Sequence, residues 1–175
     1  MIEVETLRKS YGRKEVLRGL SMHLRAGEIT LLVGANGAGK TTTIKILAGL
    51  LRADGGVARV NAYDVARQRT PALRSLAYLP QSPSFHPRFG CRELLRFYAR
   101  LRGVALSRCD EMLALTGLSD VARVRSGALS GGMRQRLGIA LLMLADAPVL
   151  LLDEPGLNLD PAWRRRLQEM LQAEA

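Results

Sequence analysis

Eight consecutive residues, Gly34-Ala-Asn-Gly-Ala-Gly-Lys40-Thr41, follow the apolar run Ile29–Val33 and precede a helical pattern over about 41–51. They fit G-x-x-x-x-G-K-[ST] in full. Strand, glycine loop and helix occur in the order that a phosphate loop requires. Glycines let backbone N–H groups curl around an anion without a side-chain clash, and the next helix adds its positive N-terminal end. A chain built this way is expected to be α/β and to bind nucleotide. Lys40 would reach the β- and γ-phosphates, and the Thr41 hydroxyl would bind Mg²⁺. Asn36, Gly37, Ala38, Gly39 and Thr42 complete the cradle.

Other features narrow the class. At 175 residues and 47% hydrophobic, the chain can hold one domain with a real core but not two full ones. Its longest apolar runs, Leu137–Ala145 and Val149–Leu152, are too short or too interrupted to span a bilayer. The opening Met1-Ile-Glu-Val-Glu lacks the features of a secretion signal, so a cytoplasmic location is expected. Cys91 and Cys109 are isolated, as are His23 and His86, which argues against a metal cluster or a histidine triad. The net charge of +10 comes from 22 arginines and four lysines against 16 acidic residues. Such a balance suits nucleic acid, anionic headgroups or an acidic partner. These arginines are spread along the chain, however, as a biased coding composition also produces.

Periodicity places the remaining elements. Ile2, Val4 and Leu7 roughly alternate, Val16–Leu24 reads as a second strand, and Tyr11-Gly12 lies between them as a turn. Residues 57–61 and 76–79 read as short strands. From Cys91 to about Ala145 the pattern is helical, with Leu94, Leu95, Phe97, Tyr98 and Leu101 on one apolar side and Arg92, Arg96 and Arg100 in a basic stripe. Val149–Asp153 returns to a buried strand. A last helix starts at Pro161, capped by Asp160. The expected division is a core of residues 1–90 and 146–175 with a helical subdomain over about 91–145.

Two further segments carry chemistry. Val149-Leu-Leu-Leu-Asp153-Glu154 buries four apolar residues and brings Asp153 to the strand's C-terminal end, where ligands gather in open α/β sheets. Asp153 would help hold hydrated Mg²⁺, and Glu154 would polarise an attacking water as general base. Leu129-Ser-Gly-Gly-Met-Arg-Gln-Arg136 offers a second glycine-rich helix start, in which Ser130 caps the helix and leaves N–H groups free for a phosphate. One nucleotide has no obvious use for both anion sites.

In that order of motifs the chain resembles the ATP-binding subunits of ABC transporters, over about residues 2–173. The resemblance implies a P-loop NTPase fold of the ABC ATPase type: a RecA-like core, an N-terminal antiparallel β part and a helical insert carrying the signature. It implies a head-to-tail dimer in which Ser130, Gly131, Gly132 and Gln135 act on ATP held by the other subunit. Tyr11 matches the aromatic that stacks on adenine. Gln81, after Tyr78-Leu79-Pro80, matches the glutamine that contacts Mg²⁺ and senses the membrane partner. Asp160 matches the aspartate of the loop that crosses the dimer interface. That loop departs from the family pattern, because Gly156 directly follows Pro155 and Asn158 stands where glycine is usual, which puts its fine geometry in doubt.

The implied partners are a second ATP-binding subunit and transmembrane permease subunits gripped through about Gln81–Val104, with no nucleic acid. The protein would then lie on the inner face of the membrane. Phe97-Tyr-Ala-Arg-Leu-Arg-Gly103 is similar to bacterial export-type subunits, among them those of copper-processing and nitrous-oxide-reductase maturation systems. One more strand and a switch histidine follow the last helix in that family. The chain reaches Ala175 before either, so it is expected to be the N-terminal portion of a longer subunit, with nucleotide contacts encoded and poor turnover. Two alternatives are a non-transport ABC ATPase acting on nucleic acid or ribosomes, and a nucleotide-binding remnant without hydrolysis.

Overall fold

The computed structural model describes residues 1–174, which cluster into two compact units: Met1–Leu76 together with the segment from Gln168 on, and Ala77–Leu167. Each is taken by itself.

The first unit opens on a hairpin of β1 (Ile2–Tyr11) and β2 (Lys14–Leu24), extended by β3 (Gly55–Val60) and the short β4 (Tyr63–Asp64) into an antiparallel sheet of order β2-β1-β3-β4. Inward residues in a strand should recur every second position, yet the buried set is Ile2, Val4 and Leu7. A bulge absorbs the extra residue. The register of β1 shifts between Val4 and Leu7 on β2, and Thr6 takes φ 46°. The Thr6 N–H donates to Ser21 Oγ (2.9 Å). Helices α1 (Lys40–Leu47) and α2 (Arg69–Arg74) pack on β3, and α1 buries Ile44, Ile46 and Leu47.

Ile29–Val33 departs from expectation. It forms no strand and belongs to neither sheet, and Ile29, Leu31 and Val33 are 59%, 82% and 83% exposed. Composition alone does not make a strand: the ladder needs partners on at least one side, and no described strand pairs with this segment.

The second unit holds β5 (Leu76–Leu79, from its second residue on) paired with β6 (Val149–Leu152), and helices α3 (Cys91–Arg102), α4 (Arg108–Leu115) and α5 (Gly131–Leu144). A 3₁₀ turn, Ser126–Ala128, leads into α5, and α6 (Pro161–Glu174) begins in this unit. The three helices α3, α4 and α5 pack on one another. Buried residues surround α5, including Leu137, Ile139, Ala140, Leu142 and Leu144, so it is the unit's core helix rather than an amphipathic one.

The apolar side expected for α3 is divided. Leu94 and Leu95 are buried with Cys91 and Ala99, whereas Phe97, Tyr98 and Leu101 are 57%, 41% and 66% exposed. Helical spacing alone does not set this division, because Leu101 follows buried Leu94 by seven residues, about two turns, and so lies on nearly the same face. The basic stripe is not uniform either. Arg92 is half-buried and places Nε 2.9 Å from Asp110 Oδ1, off the N–H axis, while Arg96 and Arg100 are exposed.

Candidate functional site

In the first unit, the phosphate loop leads from residue 34 into α1. Gly37 and Gly39 have φ of 83° and 94°, the left-handed region open to glycine. Gly39 is constrained twice, since a Cβ there would lie 2.6 Å from Leu17 Cδ2. The Thr43 N–H and hydroxyl both bond the Gly39 carbonyl (2.8 and 2.9 Å), anchoring the loop to the helix start. Lys40 Nζ donates to the carbonyls of Gly34 and Ala35, which fixes the ammonium inside the loop. The loop thereby presents backbone N–H groups, a lysine and a helix N-terminus together, as the motif predicts.

Tyr11 closes β1 and is half exposed, with Lys9 Nζ 5.8 Å from its ring centre. Its cross-strand partner Lys14 sits by the loop: Lys14 Nζ is 3.9 Å from where a Cβ on Gly37 would be. The hairpin tip therefore flanks the glycine loop, and Lys14 adds a cation that no motif pointed to. Only the hairpin register brings it there.

In the second unit, β6 delivers Asp153 and Glu154. Asp153 is 5% exposed, and its N–H donates to the Leu79 carbonyl of β5 (3.0 Å). Burial, and then the charge of Asp153, push the Tyr78 phenol above its ordinary pKa. Glu154 adopts φ 48°, unusual for a residue with a side chain, and turns its carboxylate away from the buried strand. Gln81 Nε2 donates to Glu154 Oε2 at 2.6 Å. Gln81 and Glu154, 73 positions apart, are thus brought together. The pairing of β5 with β6 sets their strand ends side by side, and α5 packs closely on β5, because a Cβ on Gly138 would lie 2.6 Å from Leu79 and 3.0 Å from Pro83.

The signature segment starts α5 as expected. Ser130 has extended backbone angles and its Oγ accepts from the Met133 N–H (3.2 Å), the geometry of an N-cap. Ser130 and Gly131 are exposed, so the helix's positive end faces outward. Gln135 does not. It is fully buried and its Nε2 donates to the Pro155 carbonyl (3.0 Å), which leaves it unable to meet another subunit's phosphate. The burial of α5 explains this: from Gln135 onward nearly every residue of the helix is enclosed, including Leu137, Gly138, Ile139 and Ala140. Gln135 instead fixes the turn after Glu154.

Asp160 caps α6, accepting the Trp163 N–H (2.9 Å). Asn158 has φ 63°, the left-handed conformation that glycine would supply and that asparagine tolerates. Asparagine thus supplies at 158 the backbone conformation that the usual glycine would, whereas Gly156 is not among the residues with positive φ.

Comparison with known proteins bears on this arrangement. The family model described as ABC transporter matches residues 17–156, which is most of the chain. The chain belongs to the ABC transporter family. It is 39% identical to the uncharacterized ABC transporter ATP-binding protein YxlF of Bacillus subtilis and 38% identical to the Nod factor export ATP-binding protein I of Paraburkholderia xenovorans. Each alignment covers 98% of this chain and 58% of the relative, so the chain spans little more than half the length of these proteins. A solved ATP-binding subunit of an ABC transporter superposes with a TM-score of 0.92 at 30% identity, over 99% of this chain and 74% of that one. The fold is accordingly the α/β ABC ATPase fold, and the domain is an ATP-binding one.

Proposed function

We propose that this chain is the ATP-binding and ATP-hydrolysing part of a subunit that powers a membrane exporter. ATP binding draws two such subunits head to tail, and hydrolysis lets them part. The observation that carries this reading is the Gln81–Glu154 hydrogen bond, which holds a carboxylate just past the end of β6 with a polar side chain on it. One carboxylate oxygen is engaged by Gln81, and the other can accept a proton from water.

Mg²⁺ goes with this reading. Thr41 in the first unit, and Gln81 and Asp153 in the second, each carry oxygen atoms of the hard kind the ion prefers, and among the described residues no group of three or more His, Cys, Asp and Glu side chains converges. An ion that keeps several waters and phosphate oxygens needs no such cage. When bound, the ion neutralises developing phosphate charge. Lys40 and the loop N–H groups hold the nucleotide, Tyr11 offers a stacking face for its base, and Ser130 with Gly131 and Gly132 faces the other subunit's γ-phosphate.

No helix among the described residues is long and apolar enough to cross a membrane, so the membrane path belongs to permease subunits in this reading. Their docking place is the Gln81–Val104 region. It includes a cavity of about 230 Å³ bordered by Tyr78, Pro83, Phe85, Tyr98 and Arg102, beside exposed Phe97 and Leu101. Export direction is supported by a relative named for Nod factor export and another named for linearmycin resistance. A cytoplasmic, membrane-peripheral location goes with this reading, as does a core of 1–90 and 146–175 with a helical part between.

Glu154→Gln tests the proposal. It should leave ATP affinity within about twofold and slow hydrolysis by at least about 100-fold, the usual contribution of a general base. Hydrolysis that survives the substitution would refute the role of Glu154. A wild-type chain that binds ATP and never turns it over would favour the nucleotide-holding alternative.

A further inference from the structure

The loop that carries Asp160 touches α5 at two places one helical turn apart. At the first, a Cβ on Gly132 would lie 3.0 Å from the Asn158 carbonyl oxygen, so the loop backbone rests directly on the signature helix. At the second, four residues on, the Arg136 guanidinium lies over the Trp163 ring at 4.6 Å. Gly132 and Arg136 share a helical face by their i, i+4 spacing. Arg136 Nη1 also donates to the carbonyls of Thr116 (3.3 Å) and Gly117 (3.2 Å), which holds the guanidinium in place under the ring. Gly117 has φ 62°, and a Cβ there would come within 2.9 Å of Trp163 and 3.0 Å of Arg136. Arg166 supplies a second guanidinium, 5.1 Å from the ring centre. Burial pulls the Arg136 pKa down, and the Asp160 charge opposes that pull.

Such a constellation is not needed to bury an apolar residue. Trp163 is only part-buried, and it is the sole tryptophan in the chain. An aromatic face attracts a partly desolvated guanidinium in a definite geometry, where an aliphatic side chain of similar size would only fill space. The stack joins the second turn of α5 to the first turn of α6. Between those turns lie the two elements that meet another subunit: the Ser130–Gly132 helix start and the Asp160 loop.

We propose that Trp163 is a positioning residue which, through Arg136, locks the signature helix to the Asp160 loop so that both meet a second subunit as one rigid piece. The inference rests on the reading that these elements face another subunit's nucleotide. Trp163 touches no nucleotide itself. Its effect is on the alignment of two surfaces that must engage together.

The test compares Trp163→Leu, Trp163→Phe and Arg136→Met in the 175-residue chain. ATP affinity of the monomer, measured with a fluorescent ATP analogue, should stay within about twofold in all three. ATP-driven self-association, measured by sedimentation, should weaken about tenfold in Trp163→Leu and Arg136→Met, the scale of a lost cation–π contact. Trp163→Phe keeps a ring and should recover to within about threefold of wild type. Self-association unchanged in Trp163→Leu, or lost equally in Phe and Leu, overturns the proposal. If Trp163→Leu fails to fold, Arg136→Met decides the matter, because the ring stays in place. If the wild-type chain binds ATP without associating, the dimer reading fails on its own account. The lock is then judged by amide hydrogen exchange: Arg136→Met must speed exchange at Gly131–Met133 and at Leu157–Leu159 together, and a change confined to one of the two segments overturns it.

Discussion

Replacing Gln135 by glutamate changes one nitrogen to oxygen and almost no volume. Gln135 is fully buried, its Nε2 donates to the Pro155 carbonyl at 3.0 Å, and its Oε1 has no hydrogen-bond partner. An ionised glutamate would set a negative oxygen against that carbonyl in a dry site. The variant instead takes up a proton, because the neutral acid can donate its O–H to Pro155 and restore the bond. The cost of that proton at pH 7 is bounded by the distance from the unfolded pKa of about 4.3, at about 1.36 kcal/mol per unit, or about 3.7 kcal/mol. For a chain of this size that is a fall in Tm of about 7–15 °C. The sign follows from linkage: the folded pKa is raised, so the folded form binds the extra proton. The penalty is absent below about pH 4.3 and grows as pH rises toward the folded value. Urea melts of wild type and Gln135→Glu at pH 5 and pH 7 should differ by about 1 and about 3.7 kcal/mol respectively. A difference that is the same at both pH values would refute the reasoning, since it would mean that shape or the lost amide, not charge burial, sets the cost.

Asn158→Gly should be close to neutral, and Asn158→Val should cost about 1–2 kcal/mol, because φ 63° suits glycine and asparagine but crowds a β-branched Cβ; thermal melts read both. Asp54 is held below the ordinary carboxylate range by the Lys9 side chain, which donates to it at 2.7 Å, and by the Ser10 N–H at 2.7 Å. Its contribution is therefore present above the unfolded carboxylate pKa and is lost as pH falls through the lower folded value. NMR titration should show the Asp54 pKa rising in Lys9→Ala, and no movement would remove the pairing from the account.

The phosphate loop, the Asp153-Glu154 strand end and the Ser130 cap could be read from sequence because each is local. Its residues act on their neighbours within a turn or two, so spacing carries the information. Gln81 was marked only by family resemblance, and its bond to Glu154 was not legible at all, since no local rule joins residues so far apart. Lys14 and Gln135 show the limit most clearly. Lys14 reaches the loop through a hairpin register, and Gln135 turns inward because α5 is buried on every side. Ile29–Val33 failed for a different reason. Its β-branched and apolar residues state a preference, but strand structure is a property of two chains' worth of hydrogen bonds. On α3, the exposed Phe97 and Leu101 are apolar residues whose neighbours, not their own hydropathy, decide where they lie.

The exposed run Ile29–Val33 also sets how this polypeptide behaves in a crowded solution. Backbone donors and acceptors that no described residue satisfies, flanked by bare isoleucine, leucine and valine, form a template for any extended chain that passes. Yield and solubility should therefore depend on concentration more steeply than on temperature, and the phosphate loop one residue downstream will be only as well formed as whatever covers that run.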